Sequence, residues 1–169
     1  MKKILIVVDM QNDFITGSLG SKAAQEIVPA VADEIRAWVA CGGEVVYTRD
    51  THAKDYLSTQ EGKRLPVEHC IKDGHGWQIA DGLYIGGKIF DKPTFGSLSL
   101  GEYVKAGGYT EAELVGVCTD ICVISNALLL KAYCPEMRVV VKADCCAGVT
   151  EESHENALSA MRACQVDIV

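Results

Sequence analysis

The chain has 169 residues, 49% of them hydrophobic and 23% charged, and carries a net charge of −7. That length suits one domain over 1–169, with a core able to bury about 70% of the unfolded surface. The acidic balance and the lack of a basic stripe argue against nucleic-acid binding, which needs clustered Lys and Arg. No run of about eighteen apolar residues offers a membrane span.

Lys3–Val8 is a continuous apolar run ended by Asp9, so it reads as a strand buried on both faces and not as an export signal. Pro29 suits the first turn of a helix whose stripe is Val31, Ile35, Trp38 and Val39, with Gly42-Gly43 as its stop. Glu44–Thr48 is the second strand. From about Asp50 to Lys88 there is little periodicity, and a loop that long is usually functional. Lys88–Asp91 reads as a third strand, and Leu98–Ala106 as a helix closed by Gly107-Gly108. Glu113–Val117 is the fourth strand. Ile121–Tyr133 is apolar nearly all round, the mark of a deeply packed helix. Arg138–Val141 is strand five, Thr150 caps a helix over Glu151–Cys164, and Val166–Val169 is strand six.

This alternation predicts an α/β fold: a doubly wound, mostly parallel six-stranded sheet with helices on both faces. Ligands of such sheets bind beyond the carboxyl ends of the strands, where strand order reverses. Asp9, Asp50, His52, Lys92 and Cys122 all fall just past strand ends on that one edge. Chance would scatter them between both edges.

Cys122 lies at the opening of a helix, where unsatisfied N–H groups favour the thiolate. Such cysteines drop from a pKa of about 8.5 to roughly 3.5–7.5. A cysteine hydrolase also needs a carboxylate to take and return a proton and a cation to hold the charges. Asp9 and Lys92 are the candidates, and N–H groups of the Cys118–Cys122 turn could form an oxyanion hole. Singly, each has a duller reading: a core cysteine, a strand-end turn residue, a solvated lysine. Their common edge reverses the odds.

Asp50 and His52 sit two apart and project to one side of an extended backbone. His69 follows 17 residues later, far enough to loop back. Two imidazoles and a carboxylate with open positions suit a catalytic Zn²⁺, with Fe²⁺ or Mn²⁺ as alternatives. Ordinary loop histidines are the competing reading. His75 and His154 read as surface or capping residues. Phe14, Phe95 and Trp77 read either as core or as walls for a flat substrate. Eight cysteines without an export signal point to a reducing, cytoplasmic setting. Cys41, Cys70, Cys134 and Cys164 among them read as small apolar residues.

The segments Asp9-Met10-Gln11-Asn12-Asp13-Phe14, Arg49-Asp50-Thr51-His52, His69-Cys70, Lys92-Pro93-Thr94-Phe95 and Gly116–Val123 together resemble the isochorismatase-like cysteine hydrolases, and within them the nicotinamidases. The resemblance covers essentially the whole chain. It implies a Rossmann-like three-layer fold and a triad of Asp9, Lys92 and Cys122. It also implies a cis peptide before Cys118 that aims the N–H groups of Cys118 and Cys122 at an oxyanion. Asp50, His52 and His69 would hold the metal, and Phe14 would pack on the substrate ring. The implied reaction is hydrolysis of nicotinamide or a related heteroaromatic amide to the acid and ammonia, through a thioester on Cys122. Family members often form homo-oligomers. Some relatives carry a further His between the two metal segments, and none occurs here.

Two other readings stand beside this one. A carbamoyl or ureido compound could be hydrolysed by the same triad without the metal. A thiol redox or metal-binding protein would use the eight cysteines and predicts reversible Cys118–Cys122 oxidation, but it leaves Asp9 and Lys92 unexplained.

Overall fold

Alternate residues of β1 (Lys3–Val8) enter two separate cores, which is why its apolar run is unbroken. Ile4, Ile6 and Val8 pack on one side of the sheet, and Leu5 and Val7 on the other. The computed structural model describes residues 2–169. Its sheet has six strands in the order β3-β2-β1-β4-β5-β6, all paired in parallel. The remaining strands are β2 (Glu44–Asp50), β3 (Ile89–Lys92), β4 (Glu111–Val117), β5 (Arg138–Ala147) and β6 (Asp167–Ile168). After β1 the chain winds toward one edge, and after β4 toward the other. The switch point therefore lies between β1 and β4.

On one face lie α1 (Asn12–Ile15) and α2 (Lys22–Ala40). On the other lie α4 (Leu98–Gly107), α5 (Ile124–Tyr133) and α6 (Glu151–Ala163). Between β2 and β3 runs the long loop, which contains a 3-10 turn at Tyr56–Ser58 and a short helix α3 (Gln60–Arg64). Sequence patterning had shown neither, nor α1. No helix among the described residues is long and apolar enough to cross a membrane.

The expected boundaries shift in three instructive places. Pro29 lies inside α2 and does not open it. The helix starts at Lys22, where the Ser21 side chain caps it by accepting from the Ala24 N–H at 3.0 Å. β5 continues from Val141 to Ala147 because pairing resumes after a register shift opposite Leu114 and Gly116, with Gly116 against Cys146 and Val117 against Ala147. The polar Lys142-Ala143-Asp144 step sits at that irregularity, which hid the strand's second half. Asp50 and Lys92 are the last residues of β2 and β3, not residues beyond them, and they pair in register.

Two turns carry the chain past the sheet edge. Gly116 has φ +121°, and a Cβ there would stand 2.1 Å from the Val8 carbonyl oxygen, so only glycine lets β4 lie this close to β1. The Val117–Cys118 peptide that follows is cis, as the resemblance implied. Thr119–Val123 then forms one turn of π-helix before α5 begins. At the other end of the chain, Thr150 and Ser153 cap α6 reciprocally.

Candidate active site

Asp9 leaves β1 with φ +49°, a left-handed conformation that is uncommon for a residue with a side chain. Thr48, in the neighbouring strand β2, holds it there. The Asp9 N–H donates to the Thr48 carbonyl and Oγ1, both at 3.2 Å. Thr48 Oγ1 in turn donates to Asp9 Oδ1 at 2.6 Å. The other oxygen, Oδ2, faces Lys92 Nζ at 2.6 Å but has no regularly angled hydrogen bond among the described residues. Lys92 Nζ also lies 3.4 Å from Cys122 Sγ and 3.4 Å from Asp50 Oδ1. Asp9, Lys92 and Cys122 are 0%, 1% and 5% exposed, so their charges interact with little screening. Three residues far apart in sequence thus meet at the predicted switch point.

Burial raises the Asp9 carboxyl above its ordinary range, and Lys92 opposes that shift. For Lys92, burial lowers the pKa, but Asp9, Cys122 and Asp50 outweigh it and hold the ammonium charged. The expected acidic Cys122 thiol is not found. Burial, then the charge of Asp9, pushes Cys122 well above the ordinary thiol range, and Lys92 offsets only part of this. The helix-terminus argument is outweighed by burial of the thiol and by the charges of Asp9 and Asp50. Cys118 is likewise pushed up to about 12, first by burial and then by Asp120 and Asp9.

Beside the lysine lies the second cluster. His52 Nε2 is 2.9 Å from Asp50 Oδ2, and His69 Nε2 is 3.4 Å from the same oxygen. Glu61 Oε1 completes the group, 3.7 Å from His52 Nε2 and 3.9 Å from His69 Nε2. One donor atom from each of Asp50, His52, Glu61 and His69 lies within 4.8 Å of the others. Two imidazole nitrogens and two carboxylate oxygens so arranged fit a divalent transition metal. Burial opposes ionisation of Asp50, yet bonds from His52 and His69 and the charge of Lys92 hold its carboxyl below the usual range. Glu61 goes the other way, raised by burial and by the charge of Asp50. Sequence reading missed Glu61. The one available signal was Thr59, which caps α3 by accepting from the Gly62 N–H at 3.0 Å and so fixes Glu61 in its first turn.

Both clusters open on one cavity of about 540 Å³, whose walls include Phe14, Leu65, Phe95, Ile121 and Val149. Phe14 packs on His69, their rings 5.7 Å apart. Trp77 belongs elsewhere: it stacks under Arg49 at 3.5 Å and donates to Thr51 Oγ1 at 2.8 Å, fastening the long loop. His75 is exposed as expected. His154 does more than cap, since its Nδ1 is 2.8 Å from Thr119 Oγ1 in the π-turn. Cys70 is buried, whereas Cys41 and Cys164 are exposed and not part of the core.

The switch point of this parallel sheet presents an Asp, a Lys and a Cys beside an Asp/His/Glu/His cluster. The isochorismatase domain family matches residues 3–169, and the chain belongs to that family. Among its relatives, it is 29% identical to the nicotinamidase/pyrazinamidase of Mycobacterium tuberculosis over 185 residues, covering 99% of this chain and 98% of the relative. The crystal structure of a Pyrococcus horikoshii pyrazinamidase in complex with zinc superposes with a TM-score of 0.89 at 28% identity, covering 100% of this chain and 99% of that one. A nicotinamidase/pyrazinamidase structure from Bacillus subtilis gives 0.87 at 26% identity, with full coverage of both chains.

Proposed function

We propose that this protein is an amidohydrolase acting on nicotinamide or a closely related heteroaromatic amide, with Cys122 as nucleophile and Asp9 as proton carrier. The observation that carries this reading is Lys92 Nζ standing between Asp9 Oδ2 and Cys122 Sγ, on the same cavity as the Asp50/His52/Glu61/His69 cluster.

Burial and Asp9 push the Cys122 thiol upward, and in this reading Asp9 takes its proton as sulfur bonds to the amide carbon. Lys92 stabilises the negative charge throughout, from carboxylate to thiolate. The N–H groups of Cys118 and Cys122 are the proposed donors to the oxyanion. Asp9 then gives the proton to the departing nitrogen, ammonia leaves, and a thioester remains on Cys122. Water hydrolyses it with Asp9 again as base, releasing the acid and restoring the thiol. The Asp50, His52, Glu61 and His69 side chains are the proposed metal holders. A divalent ion held by these residues would supply Lewis acidity toward the substrate ring, and Phe14 is the proposed packing partner of that ring. Zinc is the proposed ion, with Fe²⁺ or Mn²⁺ as alternatives, because the nitrogen–oxygen donor set suits a borderline metal and a zinc complex is known for the Pyrococcus horikoshii pyrazinamidase.

Family coverage from residue 3 to 169 supports a one-domain chain. Eight free cysteines support a reducing, cytoplasmic setting, and a homo-oligomer is the proposed assembly. The test of function is ammonia release from nicotinamide by zinc-loaded protein, with Cys122→Ala as the control. No turnover by the loaded wild type, or full turnover by the control, defeats the proposal. Protein that purifies without metal and turns over ureido compounds instead would belong to the carbamoyl-hydrolysing alternative.

A further inference from the structure

Two side-chain carboxamides, Gln11 and Asn126, are fully buried within the site without lining its cavity. Each uses its polar atoms on the main chain of loops that carry reactive residues. Gln11 Nε2 donates to the carbonyls of Asp50 at 2.8 Å and Trp77 at 2.9 Å, while its Oε1 accepts from the Asp50 N–H at 2.7 Å. The Asp50 main chain is thus gripped at both its N–H and its C=O by one residue of the loop after β1. Asn126 has the same role on the opposite side of the switch point. Its Nδ2 donates to the carbonyls of Cys122 at 2.8 Å and Phe95 at 3.2 Å, and its Oδ1 accepts from the Ser97 N–H at 3.0 Å. It therefore ties the nucleophile's turn to the loop that follows Lys92.

From this geometry we infer that Gln11 and Asn126 are positioning residues with separable duties: Gln11 sets the metal-holding half of the site, and Asn126 sets the Lys92–Cys122 half. The division follows from the direct bonds of each amide; the halves meet through the 3.4 Å approach of Asp50 Oδ1 to Lys92 Nζ and the Asp50–Lys92 strand pairing. Gln11 has no bond to the Cys118–Cys122 turn or the Lys92–Ser97 loop. Asn126 has none to Asp50 or the long loop. A buried amide that loses its partners leaves main-chain groups unpaired in a dry interior, so each loop must shift to recover them. Small displacements matter at such sites: outer hydrogen-bond partners of metal ligands typically contribute about 10–100-fold in metal affinity.

The inference rests on reading Asp50, His52, Glu61 and His69 as the metal cluster and Cys122 as the nucleophile. Its test uses two readouts on the full chain: Zn²⁺ affinity, by competition with a chromophoric chelator, and the rate of Cys122 alkylation by iodoacetamide in zinc-free protein. Cys122→Ala protein subtracts labelling at the other cysteines. Gln11→Met, close in size but unable to make these bonds, is expected to weaken zinc by about 10–100-fold and to leave alkylation at the wild-type rate. Asn126→Leu is expected to slow alkylation several-fold and to leave zinc affinity at the wild-type value. If either apolar variant fails to fold by circular dichroism, Gln11→Glu or Asn126→Asp takes its place, since each keeps the size and turns one donor into an acceptor facing carbonyls. Both readouts falling together in either variant, or neither moving while only melting temperature drops, overturns the inference. Wild-type protein that binds no zinc, or whose Cys122 is never labelled, instead defeats the reading of the site itself.

Discussion

Lys92 Nζ and Asp9 Oδ2 stand 2.6 Å apart where water does not reach, each the other's principal counter-charge. Removing one member leaves the other buried and unpaired. Lys92→Met is therefore expected to destabilise the protein by about 3–5 kcal/mol, the usual cost of breaking a buried pair. Urea unfolding at neutral pH measures it. A loss within error of zero would mean that the pair is wet or absent in solution.

Residues that act as one unit lose their effect together. Asp9→Asn and Cys122→Ala are each expected to bring ammonia release to background, and the double variant to fall no further. A double variant much slower than either single one would show that the two residues contribute independently and do not share one proton.

With Asp9 as the proposed proton carrier, the acid limb of kcat/KM is expected to report its ionisation. Its pKa is raised by burial, so activity should begin to fall at a pH above the ordinary carboxylate value of 3.8 and be lost as pH drops through the folded-state pKa. The Thr48 hydroxyl bond works in the lowering direction. Thr48→Val therefore moves the limb to higher pH. A pH–rate profile with an unmoved limb would assign that limb to another group.

Much of this site was legible because each candidate triad residue lies at or just past the carboxyl end of a strand. Asp9 after Lys3–Val8 and Cys122 after Glu111–Val117 are marked by abrupt polarity changes, and parallel topology alone brings those ends together. What stayed hidden depends on contacts that no short window contains. Glu61 reaches the histidines only through a five-residue helix inside an aperiodic loop. The Cys122 pKa was misjudged because local helix geometry favours the thiolate, whereas tertiary burial and Asp9 disfavour it more. Gln11 and Asn126 look in sequence like any amide beside a loop or on a helix. Pro29 misled because a proline suits a helix's first turn, and nothing local says that the preceding turns persist.

Metal binding should be readable apart from turnover. Zinc at about 100 times its dissociation constant stabilises a folded-only binder by about 2.7 kcal/mol. Wild-type protein is expected to gain that increment and the His69→Ala variant to lose most of it. Chelator-treated wild type should lose amidase activity and regain it on zinc return. Equal melting temperatures with and without zinc would remove the metal from the site.

Away from the active site, Glu113 on β4 has its carboxyl raised by burial and by the charge of Glu34, and its buried Oε1 has no hydrogen-bond partner among the described residues. A raised folded-state pKa means that the folded form keeps a proton the unfolded chain releases. The stability it contributes is present below the unfolded value near 4.5 and is lost as pH rises through the folded value. Glu113→Gln mimics the protonated form, so its advantage over wild type should grow from pH 4 to pH 8. Urea midpoints across that range test the sign, and a constant or shrinking difference contradicts it.

β3 is a four-residue edge strand with a single hydrogen-bonded neighbour, and Lys92 is its last residue. Margins of sheets are where fraying begins, yet this one cannot peel away without stripping two carboxylates, Asp9 and Asp50, of the same ammonium. The lysine thus latches the strand in place, besides the role proposed for it in the reaction. Slow deuterium uptake at the Phe90 and Lys92 amides, unusual for so short a border strand, would be its signature.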